Sequence, residues 1–505
     1  MASSASESGS ASGPTLGEVI ENLGFGCAQF RVWLVGGSIW FACGAELIII
    51  GSVGNAIAQE WGLTGAHKAW LMSCVFIGIL TGNAVCGPVG DLCGRRMPIL
   101  FGYLGIALFS VLSAFTTSYE ALCAVRVLVG VSFGIGQPAI NTLCTEVTPA
   151  YWRIAMNSAA QGLFIVGEMY SAFLIWHDDP YLVKTDWRWL TIMGTLPAIV
   201  FGVLGYFFLR QSPSFLAGQG ETEAARGVLE SMRADNGVPH VSVDFREIVH
   251  STSRQERSPS LALRVMEPVE LIFSRRLLYS TLTVLYSCFT LNCIFYGVIY
   301  AVPQVVTKVD MGVSPAISIL QGALCELPGV AMAIICGMML PRKPVMIVYL
   351  AVVGISLLAF AAGAKATCCA LPGQGVSLLE EFMLHGGLFG IKCFAQVGFV
   401  VVYQYSTEIY PVMARTTGSA ACVAGGRVGG MTAPMIFEFL QSLTGSFDMF
   451  FHLIAMLCLL NFVLVIFLPF ETFGKDLQDS IDEDTPLVAP QGRGALPVSE
   501  AKVKA

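Results

Sequence analysis

Charge is what this chain has least of. Only 12% of its 505 residues are Asp, Glu, Lys or Arg, against about 25% in soluble domains. That shortage excludes a fold with an ordinary solvated surface. A basic segment followed by an apolar stretch is missing from the start, so no signal peptide is read there. The first thirteen residues are rich in Ser, Ala and Gly instead. No Asn-x-Ser/Thr sequon occurs, so no N-linked glycan is implied. The phosphate-cradling Gly-x-x-x-x-Gly-Lys-Ser/Thr loop is also absent, which leaves ATP-driven work without support. No metal cluster or nucleophile–base constellation stands out. An enzyme, a cofactor and a nucleic-acid partner are therefore not expected.

What remains is apolar. Hydrophobic residues make up 55% of the chain, and the mean hydropathy is +0.69. A run of about 20 apolar residues spans a bilayer as a helix. Twelve such runs are read between residues 32 and 469, six on each side of a polar segment, and the implied partner is the lipid bilayer. The expected fold is an all-α membrane protein of twelve transmembrane helices in two six-helix halves, 32–209 and 277–469. Residues 1–31 and 470–505 are expected to be disordered ends. The polar segment 210–276 is expected to carry an amphipathic helix around "ETEAARGVLESMRADNG". Most of the 16 cysteines fall inside the runs, where they serve as small packing residues. Lys and Arg gather on one side. Only Lys68, Lys184, Arg188, Lys308 and Lys365 fall in the opposite loops, and Arg126, Lys392 and Arg427 fall within runs. Both termini are therefore expected in the cytosol.

One phrase is written twice. "TEVTPAYWR" starts at Thr145 and joins the fourth and fifth runs; "TEIYPVMAR" starts at Thr407 and joins the tenth and eleventh. A same-direction repeat after six spans implies halves related by an axis along the membrane normal. Glu146 and Glu408 sit at helix C-termini, and Arg153 and Arg415 near helix N-termini, where dipoles disfavour both. Charge pairs that hold neighbouring helix ends explain this placement. The loop "GPVGDLCGRR" adds Asp91, Arg95 and Arg96 to the same gating set.

That loop resembles the G-x-x-x-D-R-x-G-R-K signature of the major facilitator superfamily. "RVLVGVSFGIGQP", "ELPGV", "YQYSTEIYP", "GGRVGGMTAP" and "PFETFGKDL" resemble the branch of synaptic-vesicle-two-related proteins and organic-ion and sugar-type carriers. Several positions depart from it. Leu92 stands where the signature has Arg or Lys, Met338 and Met339 replace the acid–base pair of the second-half loop, and Gln211 and Ser214 have lost the charges of P-E-S-P-R. The expectation is a thinned ionic latch on the cytosolic side.

Charges within the runs are costly, so each pairs or faces a wet cavity. The acids are Glu46, Glu168 and Glu326; the bases are Arg126, Lys392 and Arg427. Glu46 and Glu168 are candidate proton-coupling sites, or else permanent ion pairs. Similar chains often carry a second acid where Cys43 stands. Arg427, flanked by four glycines, can bind a carboxylate bidentately; the resemblance implies a substrate role, and an interhelical lock is the alternative. Lys392, Trp40, Tyr296, Tyr403 and Tyr405 complete the candidate pocket. The resemblance implies secondary transport of a small organic ion, an anion first, with possible proton symport. A transporter-shaped protein that only binds a ligand or partner is the other class. The expected membrane is the plasma membrane or an intracellular vesicle.

Overall fold

The computed structural model describes residues 14–246, 269–309, 311–369, 377–410, 412–469, 471 and 472. Twelve long helices dominate: α1 Gly37–Trp61, α2 Gly65–Cys93, α3 Arg96–Ala114, α4 Tyr119–Val147, α5 Arg153–Asp178 and α6 Trp187–Phe208 in the first half. The second half holds α7 Leu278–Val305, α8 Pro315–Met339, α9 Arg342–Cys369, α10 Leu378–Glu408, α11 Val412–Thr444 and α12 Asp448–Ile466. Eleven are long and apolar enough to cross a membrane. The remaining one, α11, is 33 residues long and carries the glycine-flanked Arg427. An even number of crossings returns the ends to one side, called here the linker face; the other is the far face.

Close helix packing follows from glycine. A Cβ at Gly78 or Gly130 would strike the opposing backbone where α2 crosses α4. At the α1–α5 crossing, a Cβ on Gly167 would meet the Phe41 carbonyl. Gly429 does the same to the Phe289 carbonyl between α7 and α11, and it lies as far beyond Gly167 as Glu408 lies beyond Glu146. In lipid, where apolar surface is not driven from its solvent, such backbone approach is a main source of helix association.

Helix α8 is broken. Pro328 has no N–H to donate to the carbonyl of Leu324, and the helix divides at Cys325 into Pro315–Leu324 and Glu326–Met339. The break places Glu326 in the first turn of the second segment, where the helix dipole favours a carboxylate.

The linker face carries short helices. Thr222–Asn236 is the expected amphipathic helix, burying Ala225, Leu229 and Met232. Part of the N-terminal segment expected to be disordered is instead helical, over Leu16–Leu23 and Cys27–Arg31. Thr15 and Glu18 form a capping box at the start of the first, and a long-range polar tie holds the segment. Asn236 accepts from the Ala28 amide at 3.0 Å and donates to the carbonyls of Leu23 and Gly24, and Arg31 pairs with Asp235. Residues 1–13 and 473–505 lie outside the described residues.

Candidate functional site

The repeated phrase is resolved differently from the expected pairing. Glu146 does not bind Arg153. Arg95, from the α2–α3 loop, reaches it at 3.2 Å, while Arg153 donates to the Thr148 carbonyl at 3.1 Å. In the second half Arg342 reaches Glu408 at 3.1 Å. The two arginines are built alike. Arg95 also donates to the Gly90 carbonyl at 2.6 Å, and Arg342 to the Gly337 carbonyl at 2.7 Å. The second-half loop has therefore not decayed: the acid–base pair expected at Met338 and Met339 is missing, but Arg342 supplies the guanidinium a few residues later.

Gln211 is likewise not a lost contact. Its amide oxygen accepts from the backbone N–H groups of Arg95 and Arg96, at 2.9 and 3.1 Å. Glu471 accepts the matching N–H groups of Arg342 and Lys343 at 2.9 and 3.0 Å. A neutral amide in one half does what a carboxylate does in the other. Arg96 donates to the Tyr206 carbonyl. The side chains of Asp91 and Arg415 lie outside the described residues.

Between the halves is a cavity of about 210 Å³. It is lined by residues from the linker-side parts of α1, α2, α4, α5 and α10 and from the middles of α7 and α11. Phe164, Phe295 and Phe399 give it an aromatic wall; Asn83, Gln137, Asn141, Gln161 and Gln396 give it amides. Trp40, Tyr296, Tyr403 and Arg427 of the expected pocket line it. Trp40 donates to Asn141 at 3.4 Å, and Tyr403 stacks on Phe399 and accepts from Asn292 at 3.0 Å. Tyr405 does not line it. Two residue steps turn the helix by about 200°, so Tyr405 points away from Tyr403 and is wholly buried in the packing. Lys392 is also absent from the lining, because its ammonium is taken by carboxylates. The amides are not among the expected pocket residues, which were charged or aromatic, although amides inside apolar runs are visible in the sequence.

The intramembrane charges sort unevenly. Glu46 and Arg126 form a one-to-one pair at 2.7 Å, with side chains 2% and 1% exposed. Lys392 meets two acids, Glu326 at 2.5 Å and Glu168 at 3.4 Å. Arg427 meets neutral partners among the described residues, the Tyr296 hydroxyl and the Gln137 amide oxygen, both at 3.1 Å. Its Nε has no partner there. Gln137 donates its other end to the Cys43 sulfur at 3.2 Å, so the amide links α1, α4 and α11.

On the far side of the cavity the halves are tied. Lys68 of α2 meets Glu438 of α11 at 3.3 Å and donates to Gln304 of α7 at 3.1 Å. Ser73 donates to the Met431 carbonyl at 2.7 Å, and the Ala316 amide to the Pro180 carbonyl at 3.1 Å.

The family model "Sugar (and other) transporter" matches residues 48–483. The chain is 27% identical to a synaptic vesicle 2-related protein of Xenopus laevis, over 92% of this chain and 82% of that one. It is also 27% identical to organic cation/carnitine transporter 7 of Arabidopsis thaliana, over 92% and 96%. Among solved structures, the xylose transporter XylE from E. coli, in a partially occluded inward-open conformation, superposes with a TM-score of 0.69 at 18% identity, covering 89% of this chain and 99% of that one. With its two six-helix halves, its doubled arginine clasp and a family match over most of its length, the chain belongs to the sugar (and other) transporter family of the major facilitator superfamily, whose members are membrane transporters and not enzymes.

Proposed function

We propose that this protein moves a small organic anion across the membrane by alternating access between its two halves. The observation that supports the anion most is Arg427. A permanently charged guanidinium is buried at the head of the cavity, yet its partners among the described residues are neutral. Buried charge without a counter-charge is unfavourable, and a substrate carboxylate removes that penalty through bidentate hydrogen bonds. The name of the Arabidopsis relative speaks for cations, but Arg427 is the charged residue in the lining, and it repels them. The aromatic wall and the amides suit a planar, partly polar body beneath the carboxylate.

The excess of Lys and Arg on the linker face supports a cytosolic placement of that face and of both ends. The cavity then lies on the cytosolic side of the midlevel, with the far-face ties closing the opposite route. Proton coupling belongs to this reading, with Glu46 and Glu168 as the two candidate acids.

Counterflow in proteoliposomes tests it. Small aromatic and aliphatic monocarboxylates are expected to exchange, and Arg427→Gln to lower that exchange at least tenfold, while matched organic cations do not exchange. Exchange of cations with Arg427→Gln unaffected would overturn the anion. Thermal stabilisation by a carboxylate without counterflow would instead identify a binder of transporter shape.

A further inference from the structure

The uneven triad around Lys392 asks for an explanation that Arg427 does not supply. Glu168 belongs to α5 in the first half; Glu326 and Lys392 belong to α8 and α10 in the second. All three side chains are at most 5% exposed. Both carboxylates reach the same ammonium, at 2.5 and 3.4 Å, so the site holds two acids for one base. Fully ionised, it would carry a net negative charge in a dry seam between helices. A buried excess charge of this kind is relieved by taking up a proton.

The geometry says which acid takes it. Glu326 has the shorter contact to Lys392, a second hydrogen bond from Gln396, and the N-terminal turn of a half-helix beneath it. Glu168 has only the longer contact to Lys392, it faces the like-charged carboxylate of Glu326, and its Oε1 is buried with no hydrogen-bond partner among the described residues. The other ionisable groups on the packed helices do not balance it. Glu46 of α1 is matched by Arg126 of α4. Cys43 accepts from Gln137. The Tyr296 hydroxyl of α7 accepts from Arg427 of α11. Cys325 and Cys393 flank Glu326 and Lys392 in sequence, and the Phe295 ring lies 5.4 Å from the ammonium.

We propose that Glu168, Lys392 and Glu326 form a proton-binding site across the seam of the two halves, occupied by one proton on Glu168 when the seam is closed. Gln396 lines the cavity and touches Glu326, so the site is one hydrogen bond from the cavity wall. When the halves part, Lys392 and Glu326 stay together as a neutral pair within the second half. Glu168 then meets water alone and releases its proton to it as hydronium. Closure takes the proton back. This assignment rests on alternating access and needs no particular substrate. It places the coupling proton on Glu168 rather than on Glu46, whose charge is already matched one for one.

Infrared spectroscopy of the purified protein in lipid, without substrate, tests the proton. Wild type at neutral pH is expected to show a protonated-carboxyl C=O band in the seam-closed state. Glu168→Gln removes the band. Glu326→Gln also removes it, because it leaves one acid for one base; this second variant guards against a folding failure of the first. Glu46→Gln keeps the band. A wild type without it, or a band lost in Glu46→Gln and kept in Glu168→Gln, overturns the site. Hydrogen–deuterium exchange at the far-face ends of α2 and α11 tests the coupling. At a fixed alkaline pH where the band has titrated away, Glu168→Gln is expected to exchange several-fold more slowly there than wild type. Equal rates overturn the link to closure. Neither measurement uses an anion, so a failed anion screen leaves both results standing.

Discussion

At the scale of single residues, what matters is the partner each buried charge finds. Three acids and three bases inside the apolar runs could be counted from the sequence, and that balance suggested pairing without saying who pairs with whom. The molecule arranges them instead as one pair, one triad and one cation with neutral neighbours. Nothing in the linear order could decide this, because partners lie 66 to 290 residues apart and meet only through helix rotation and tilt. The pair has a thermodynamic signature of its own. Glu46→Gln leaves the Arg126 guanidinium buried without its counter-charge, and removing one partner of such a pair costs about 3–5 kcal/mol. A large fall in thermal stability is expected for Glu46→Gln, and recovery of most of it in Glu46→Gln combined with Arg126→Met. A double variant as unstable as the single one would mean that Glu46 acts through other contacts.

At the scale of elements, the repeated phrase marked the two linker-side helix junctions correctly but not their chemistry. Each half has an arginine at the start of its third helix or just before it, holding both a glutamate at the end of the fourth helix and a carbonyl at the end of the second. The second copy was hidden because the letters around Arg342 differ from those around Arg95, although the contacts match. Structural symmetry constrains where a guanidinium must be, not which residues surround it. Arg342→Met is expected to lower stability by about 1.5–3 kcal/mol, the range for hydrogen bonds to a charged group. Arg95→Met should fall within the same range, both measured by thermal unfolding in detergent. A large loss for one and none for the other would show that the two clasps are not equivalent. The break in α8 belongs at this scale too. Pro328 was readable as a helix breaker, but its consequence, a half-helix N-terminus under Glu326, needs the folded helix to be seen.

At the scale of the whole molecule, the far-face ties bear on which way the transporter faces. Lys68 and Glu438 come from opposite halves, with side chains 16% and 9% exposed, so solvent screens them weakly. Glu438 also accepts from the Tyr300 hydroxyl at 2.8 Å, a bond within the second half that a glutamine can keep. Glu438→Gln therefore removes the cross-half charge and little else. It is expected to raise the population open at the far face, about fivefold for each kcal/mol of closing energy lost. Faster hydrogen–deuterium exchange at residues 65–72 and 435–444 would report it, and unchanged exchange would exclude the pair as a gate.

Much of this protein was determined by sequence alone. Scarce charge and twelve apolar runs require membrane helices, because a backbone in lipid must satisfy its own hydrogen bonds. A repeat after six spans implies two halves in the same direction. Glycines and prolines along those runs already mark where helices approach and where they break. The tertiary structure alone decided who pairs with whom. It placed Tyr403 in the cavity wall and Tyr405 in the packing, gave Lys392 two acids, and left Arg427 with neutral company. The physical reason is range. Helix formation and membrane insertion are set by neighbours along the chain, whereas electrostatic pairing across a low-dielectric seam is set by distance in space, and a side chain only two residues along a helix can face a different environment.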